Sequence, residues 1–125
     1  MPGGGRRRRT RGRRGRSGGS IRLLEPVLLL LLHSSSRHGY GLLDQLDEFG
    51  LGDLNPSVVY RTLREMDEQG WVRSVWEGEE TQGPPRRIYE LTKRGKEMLA
   101  LWVKDLEETK FHIEGLVDKY RRNLE

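Results

Sequence analysis

From Pro26 onward the chain alternates apolar stretches with clear punctuation, and each stretch carries its own period. Pro26 and the run Val27–Leu32 form an unbroken apolar segment that ends at His33. Periodicity alone does not separate a buried helix from a buried strand in such a run. Its leucines favour helix, and Pro26 suits a first helical turn, where its missing N–H has no partner to lose. His38-Gly39-Tyr40 opens a second segment in which Leu42, Leu43, Leu46 and Phe49 recur at helical spacing. Asp44, Asp47 and Glu48 fall off that stripe, and Gly50 stops it. Asn55-Pro56 reads as an N-cap followed by proline at the first helical position. Val59, Leu63 and Met66 then mark one buried face, and Gly70 ends the helix.

The period then changes. Residues 71–77 (WVRSVWE) and 86–91 (RRIYEL) alternate and are rich in β-formers, with a polar Gly/Pro stretch between them. They predict a β-hairpin. Thr92 can cap a last helix running to about residue 122. In it Leu99, Val103, Leu106, Ile113, Val117, Tyr120 and Leu124 recur at alternating steps of three and four, interrupted at Lys110. That is a coiled-coil-like seam. A helix of this length, ~45 Å at 1.5 Å per residue, cannot bury its stripe on so small a domain, so the seam predicts a homodimer. The order helix, helix, helix, strand, strand, long helix gives a mainly α fold with a small β-hairpin. It is the plan of a winged helix-turn-helix with a long C-terminal dimerisation helix. In that plan the third helix enters the major groove of double-stranded DNA and the hairpin touches the backbone.

Charge divides the chain differently. The net charge of the 125 residues is +4, yet residues 1–20 hold eight arginines and no acid, which leaves −4 on residues 21–125. The first 20 residues are rich in Gly, Arg and Ser and predict a disordered arm. Residues 21–91 then form the DNA-binding domain and 92–125 the dimerisation helix. Any nucleic-acid surface on the folded part must be a local patch. Absence of cysteine excludes disulfides, thiolate zinc sites and a cysteine nucleophile. The apolar run is too short to span a membrane, and a cytoplasmic protein is expected.

The helix starting at Pro56 carries the candidate chemistry. With Val59, Leu63 and Met66 inward, Ser57, Arg61 and Arg64 point outward and Tyr60 sits at the edge. Arginine can grip a guanine edge or a phosphate bidentately, and the first helical turn can hold a phosphate through its N–H groups. A solvated helix face is the plain alternative; the surrounding fold plan favours the binding face. Arg86 and Arg87, after Gly83-Pro84-Pro85, suit a wing that grips phosphate or enters a minor groove, with Glu77, Glu79 and Glu80 facing them as competing partners. The arm can add sequence-independent affinity by counterion release. Trp76 and Trp102 are the notable aromatics. Trp102, beside the seam, suits either helix packing or a cavity for a flat small-molecule effector. His33, His38 and His112 show no metal-ligand spacing, no catalytic constellation is present, and no cofactor is expected.

The segments HGYGLLDQL (38–46), NPSVVYRTLREMDEQGWV (55–72) and GPPRRIYELTKRGKEML (83–99) together resemble the PadR family of transcriptional regulators. The resemblance covers about residues 21–122. It implies a dimer that represses or modulates transcription at a partly palindromic operator and is released by a small effector or cellular signal. It implies DNA contacts at Tyr40, Asn55, Ser57, Tyr60, Arg61, Arg64, Arg86 and Arg87. The stretch LALWVKDLEE (99–108) is similar to the branch of that family that includes polyhydroxybutyrate-responsive repressors. Two other functions compete: a non-specific nucleic-acid-binding or architectural protein driven by the arm, and a protein-binding adaptor on the same scaffold.

Overall fold

A computed structural model describes residues 16–77 and 86–124. The elements are α1 (Arg16–Ser34), β1 (Arg37–His38), α2 (Gly39–Leu46), α3 (Pro56–Glu68), β2 (Val72–Glu77), β3 (Arg86–Leu91) and α4 (Lys93–Asn123). A short 3-10 turn, Asp47–Phe49, follows α2. Residues 78–85, which hold Glu79, Glu80 and Gly83-Pro84-Pro85, lie outside the described residues, as do residues 1–15.

Residues of all four helices and of the sheet meet in one core. Leu24, Leu28, Leu29 and Leu32 of α1, Leu42 and Leu46 of α2, Val59, Leu63 and Met66 of α3, Val72 of β2, Tyr89 of β3 and Leu99 of α4 are buried together. The apolar run is helical, as its leucines predict, but its start differs. The helix begins at Arg16, inside the segment expected to be disordered, and Pro26 lies in its interior. Proline there removes one helical hydrogen bond. Burial of Leu24 at 1% exposure shows that the turn ahead of the proline packs on the core, which favours continuing the helix through it.

The 3-10 turn that follows α2 ends in the same way as α3. Gly50 N–H donates to the Asp47 carbonyl and Leu51 N–H to the Leu46 carbonyl, both at 3.0 Å. Gly70 N–H donates to Asp67 and Trp71 N–H to Met66, at 3.0 and 2.9 Å. Each is a Schellman motif, which needs a left-handed residue after the helix; Gly50 has φ +75° and Gly70 φ +83°. This corrects one expected core position. Phe49 is exposed, because the first motif folds Leu51 back beside Leu46 and both leucines are buried there instead.

β2 and β3 pair antiparallel as the expected hairpin, from Val72 opposite Leu91 to Glu77 opposite Arg86. The sequence pattern did not signal β1, which pairs with the other edge of β3, Arg37 opposite Tyr89 and His38 opposite Ile88. The sheet order is β1-β3-β2.

α4 starts at a dense joint. The Thr92 hydroxyl accepts from Gly95 N–H at 3.0 Å and donates to the Gly70 carbonyl at 2.6 Å. Thr92 N–H donates to the Trp71 carbonyl at 3.1 Å. One threonine therefore caps α4 and fastens it to the turn between α3 and β2. Gly95 lets the backbones close: a Cβ there would collide with the Trp71 carbonyl oxygen and come within 2.5 Å of Leu91 Cδ1. Farther along, the Trp102 indole N–H donates to Glu25 Oε1 of α1 at 3.0 Å.

Candidate nucleic-acid interface

α3 is polarised as its sequence requires. Val59, Leu63 and Met66 are fully buried, while Ser57, Tyr60, Arg61 and Arg64 are exposed on the outer side. The cations share one helical face because positions three and four apart are neighbours.

Two of the expected contact residues are tied to each other. The Asn55 side-chain oxygen accepts from Ser57 N–H at 2.9 Å and from the Ser57 hydroxyl at 2.8 Å. The hydroxyl hydrogen is thus committed to the cap. Ser57 can accept a bond from a base amine through its oxygen, but to donate to a phosphate its hydroxyl must leave Asn55 Oδ1, while the N–H cap bond stays in place. Asn55 keeps its amide N–H groups for an acceptor. Arg61 and Arg64 are therefore the groups on this face best suited to grip acceptors directly.

Tyr60 is fixed from α2. A Cβ on Gly39 would lie 2.6 Å from Tyr60 Cε1, so the ring rests against the glycine backbone where α2 begins. This gives the His-Gly-Tyr pattern a physical reason: the glycine admits the aromatic ring of α3. Tyr40 is the second residue of α2, at the same helix start.

Arg86 and Arg87 are the first two residues of β3. Arg86 lies opposite Glu77 in the ladder and Arg87 opposite Trp76. The Arg87 guanidinium sits over the Trp76 ring, 4.7 Å from its centroid. This stacking was not anticipated; the register of the two predicted strands could have revealed it. Arg73, lower on β2, is bound by Glu90 at 2.7 Å.

The seam of α4 is mostly unpaired within one chain. Leu99 belongs to the core, and Leu106 and Val117 are half-buried. Val103, Ile113 and Tyr120 are 45%, 54% and 62% exposed. Phe111 and Leu116, outside the seam, are also exposed apolar groups. Trp102, the candidate effector residue, is half-buried between α4 and α1 and hydrogen-bonded to Glu25. Among the described residues no cluster of side chains suits a metal ion, and no helix is long and apolar enough to cross a membrane.

Three helices packed on a winged hairpin, with a cationic outer face on the third, define a winged helix-turn-helix transcriptional regulator. The sequence profile described as "Transcriptional regulator PadR-like family" matches residues 27–101, and the chain belongs to that family. Among solved structures it is similar to a conserved protein of unknown function described as a potential transcriptional factor. That likeness has 34% identity and a TM-score of 0.71, covering 94% of this chain and 98% of the other. A PadR-like transcription factor from Bacteroides fragilis is 32% identical, with a TM-score of 0.61 over 79% of this chain and 97% of that one. A PadR family regulator from Clostridium difficile R20291 shares the fold at 21% identity, with a TM-score of 0.68 over 76% and 98%. No curated protein sequence matches the chain.

Proposed function

We propose that the protein is a dimeric repressor. It presents the Ser57–Tyr60–Arg61–Arg64 face of α3 to the major groove of a partly palindromic operator and lays the β2–β3 hairpin on the adjacent backbone. The observation that carries this reading is the polarity of α3, with Val59, Leu63 and Met66 fully buried and two arginines exposed opposite them. The half-exposed seam of α4 supports pairing with a second copy, which would set two recognition helices one helical turn of DNA apart. Release by a small effector follows from the family resemblance. Trp102 beside the seam is the candidate contact for it, and a cytoplasmic setting fits this role.

Selection of bound duplexes from a random pool, using the full chain and a chain lacking residues 1–15, tests the reading. Both forms are expected to enrich one two-fold-related site. Arg61→Ala or Arg64→Ala should weaken that site by ~1–3 kcal/mol where the arginine reads a base, with relaxed preference at one position. Equal loss on the selected site and on a scrambled duplex would refute base reading. Duplex binding that enriches no sequence and vanishes with the arm would favour non-specific binding driven by its arginines.

A further inference from the structure

Trp76 is 64% exposed near the end of β2. Alternation along β2 puts Val72, Ser74 and Trp76 on one face of the sheet. Val72 is buried, and the Ser74 hydroxyl donates to Asp67 Oδ2 of α3 at 2.9 Å. Trp76 therefore extends the side of the sheet that packs on α3, one step past the end of that packing. Its cross-strand partner on the same face is Arg87.

The two strand arginines are held in opposite ways. Arg73 donates through Nε and Nη2 to Glu90 Oε1, at 3.3 and 2.7 Å, so a carboxylate occupies its hydrogen-bonding edge. Arg87 is held through its flat face, 4.7 Å from the Trp76 centroid. Stacking of this kind leaves the N–H fork at the rim of the guanidinium available to an anion. A long side chain already ordered on a ring loses less freedom when it binds.

We propose that Trp76 is the positioning residue of the wing. Its ring holds Arg87 extended from β3 so that the guanidinium edge meets a backbone phosphate of the bound duplex. The inference rests on the DNA-binding reading above and deepens it at one strand pair.

Binding of the full chain to its selected duplex, measured against salt concentration, tests the assignment. Trp76→Ala should weaken binding about two- to tenfold, the cost of ordering one long side chain on binding. Trp76→Phe, which keeps an aromatic face, should stay within about twofold of the parent. Arg87→Ala should reduce the salt slope by about one ion. Adding Trp76→Ala to Arg87→Ala should cause no further loss. Unfolding midpoints of the variants exclude a merely structural effect, and Trp76→Phe serves as the readout should Trp76→Ala lower the midpoint. Unchanged binding by Trp76→Ala, additive losses in the double variant, or a Trp76→Phe variant as weak as the alanine would each overturn the proposal while leaving the functional reading intact. A parent chain that enriches no duplex would overturn both.

Discussion

Gly95→Ala offers a test in which two physical effects have opposite signs. Gly95 is the third residue of α4, and helix propensity alone favours alanine there by ~1 kcal/mol. Packing opposes it. The new methyl would overlap the Trp71 carbonyl oxygen and press on Leu91 Cδ1. The carbonyl cannot retreat freely, because it accepts from Thr92 N–H at 3.1 Å. Moving α4 instead would strain the Thr92 bonds to Gly95 and Gly70. Overpacking typically costs ~1–3 kcal/mol, and each weakened hydrogen bond about 1 more. The net expectation is a loss of about 2–3 kcal/mol, or on the order of 10–20 °C in melting temperature for a domain of this size. Gly115→Ala is the control in the same helix: nothing lies within 4 Å of its Cβ position, so propensity should prevail and stability should rise by up to ~1 kcal/mol. Thermal and urea unfolding at one fixed protein concentration measure both, since association contributes to apparent stability. A Gly95→Ala chain as stable as the parent would show that the joint yields and that the close approach does not constrain α4.

Other outcomes follow from single contacts. Asn55→Ala removes the N-cap of α3 and should cost about 1 kcal/mol in urea unfolding, while freeing the Ser57 hydroxyl. Val117→Asp places a charge in the apolar seam and should shift the chain toward monomer in sedimentation at micromolar concentration; an unchanged assembly would rule out pairing through this stretch. Glu90→Gln breaks an exposed ion pair whose arginine is 69% exposed, and stability should change by less than ~1 kcal/mol. A larger loss would mean that the pair organises the sheet.

The elements that could be read from sequence are those whose signals are local and concordant. In α3 the cap, the proline, the buried stripe and the terminal glycine all agree, and the observed Pro56–Glu68 helix with its Asn55 cap follows them. Thr92 likewise marks the start of α4. The start of α1 was not readable, because proline is a helix-start signal and only tertiary burial of Leu24 shows that the helix runs through it. Two residues of β1 are too few to show a period. Phe49 matched the helical stripe in spacing, but the left-handed Gly50 hands its place to Leu51. For the candidate site, exposure of the Arg61–Arg64 face was readable from the period. The Asn55–Ser57 tie and the Arg87–Trp76 stack were not, because one depends on side-chain rotamers and the other on strand register.

The joint at Thr92 also makes α4 a lever. The helix is 31 residues long, ~46 Å at 1.5 Å per residue. A tilt of about 5° at its anchored end therefore displaces the far end by roughly 4 Å, close to the ~3.4 Å rise between bases along one DNA strand. In a pair of chains joined along α4, the separation of the two recognition helices is geared to that angle. In the proposed dimer, the firmness of one threonine and one glycine would then become a tolerance: it would limit how much error in the spacing of two half-sites the pair could absorb.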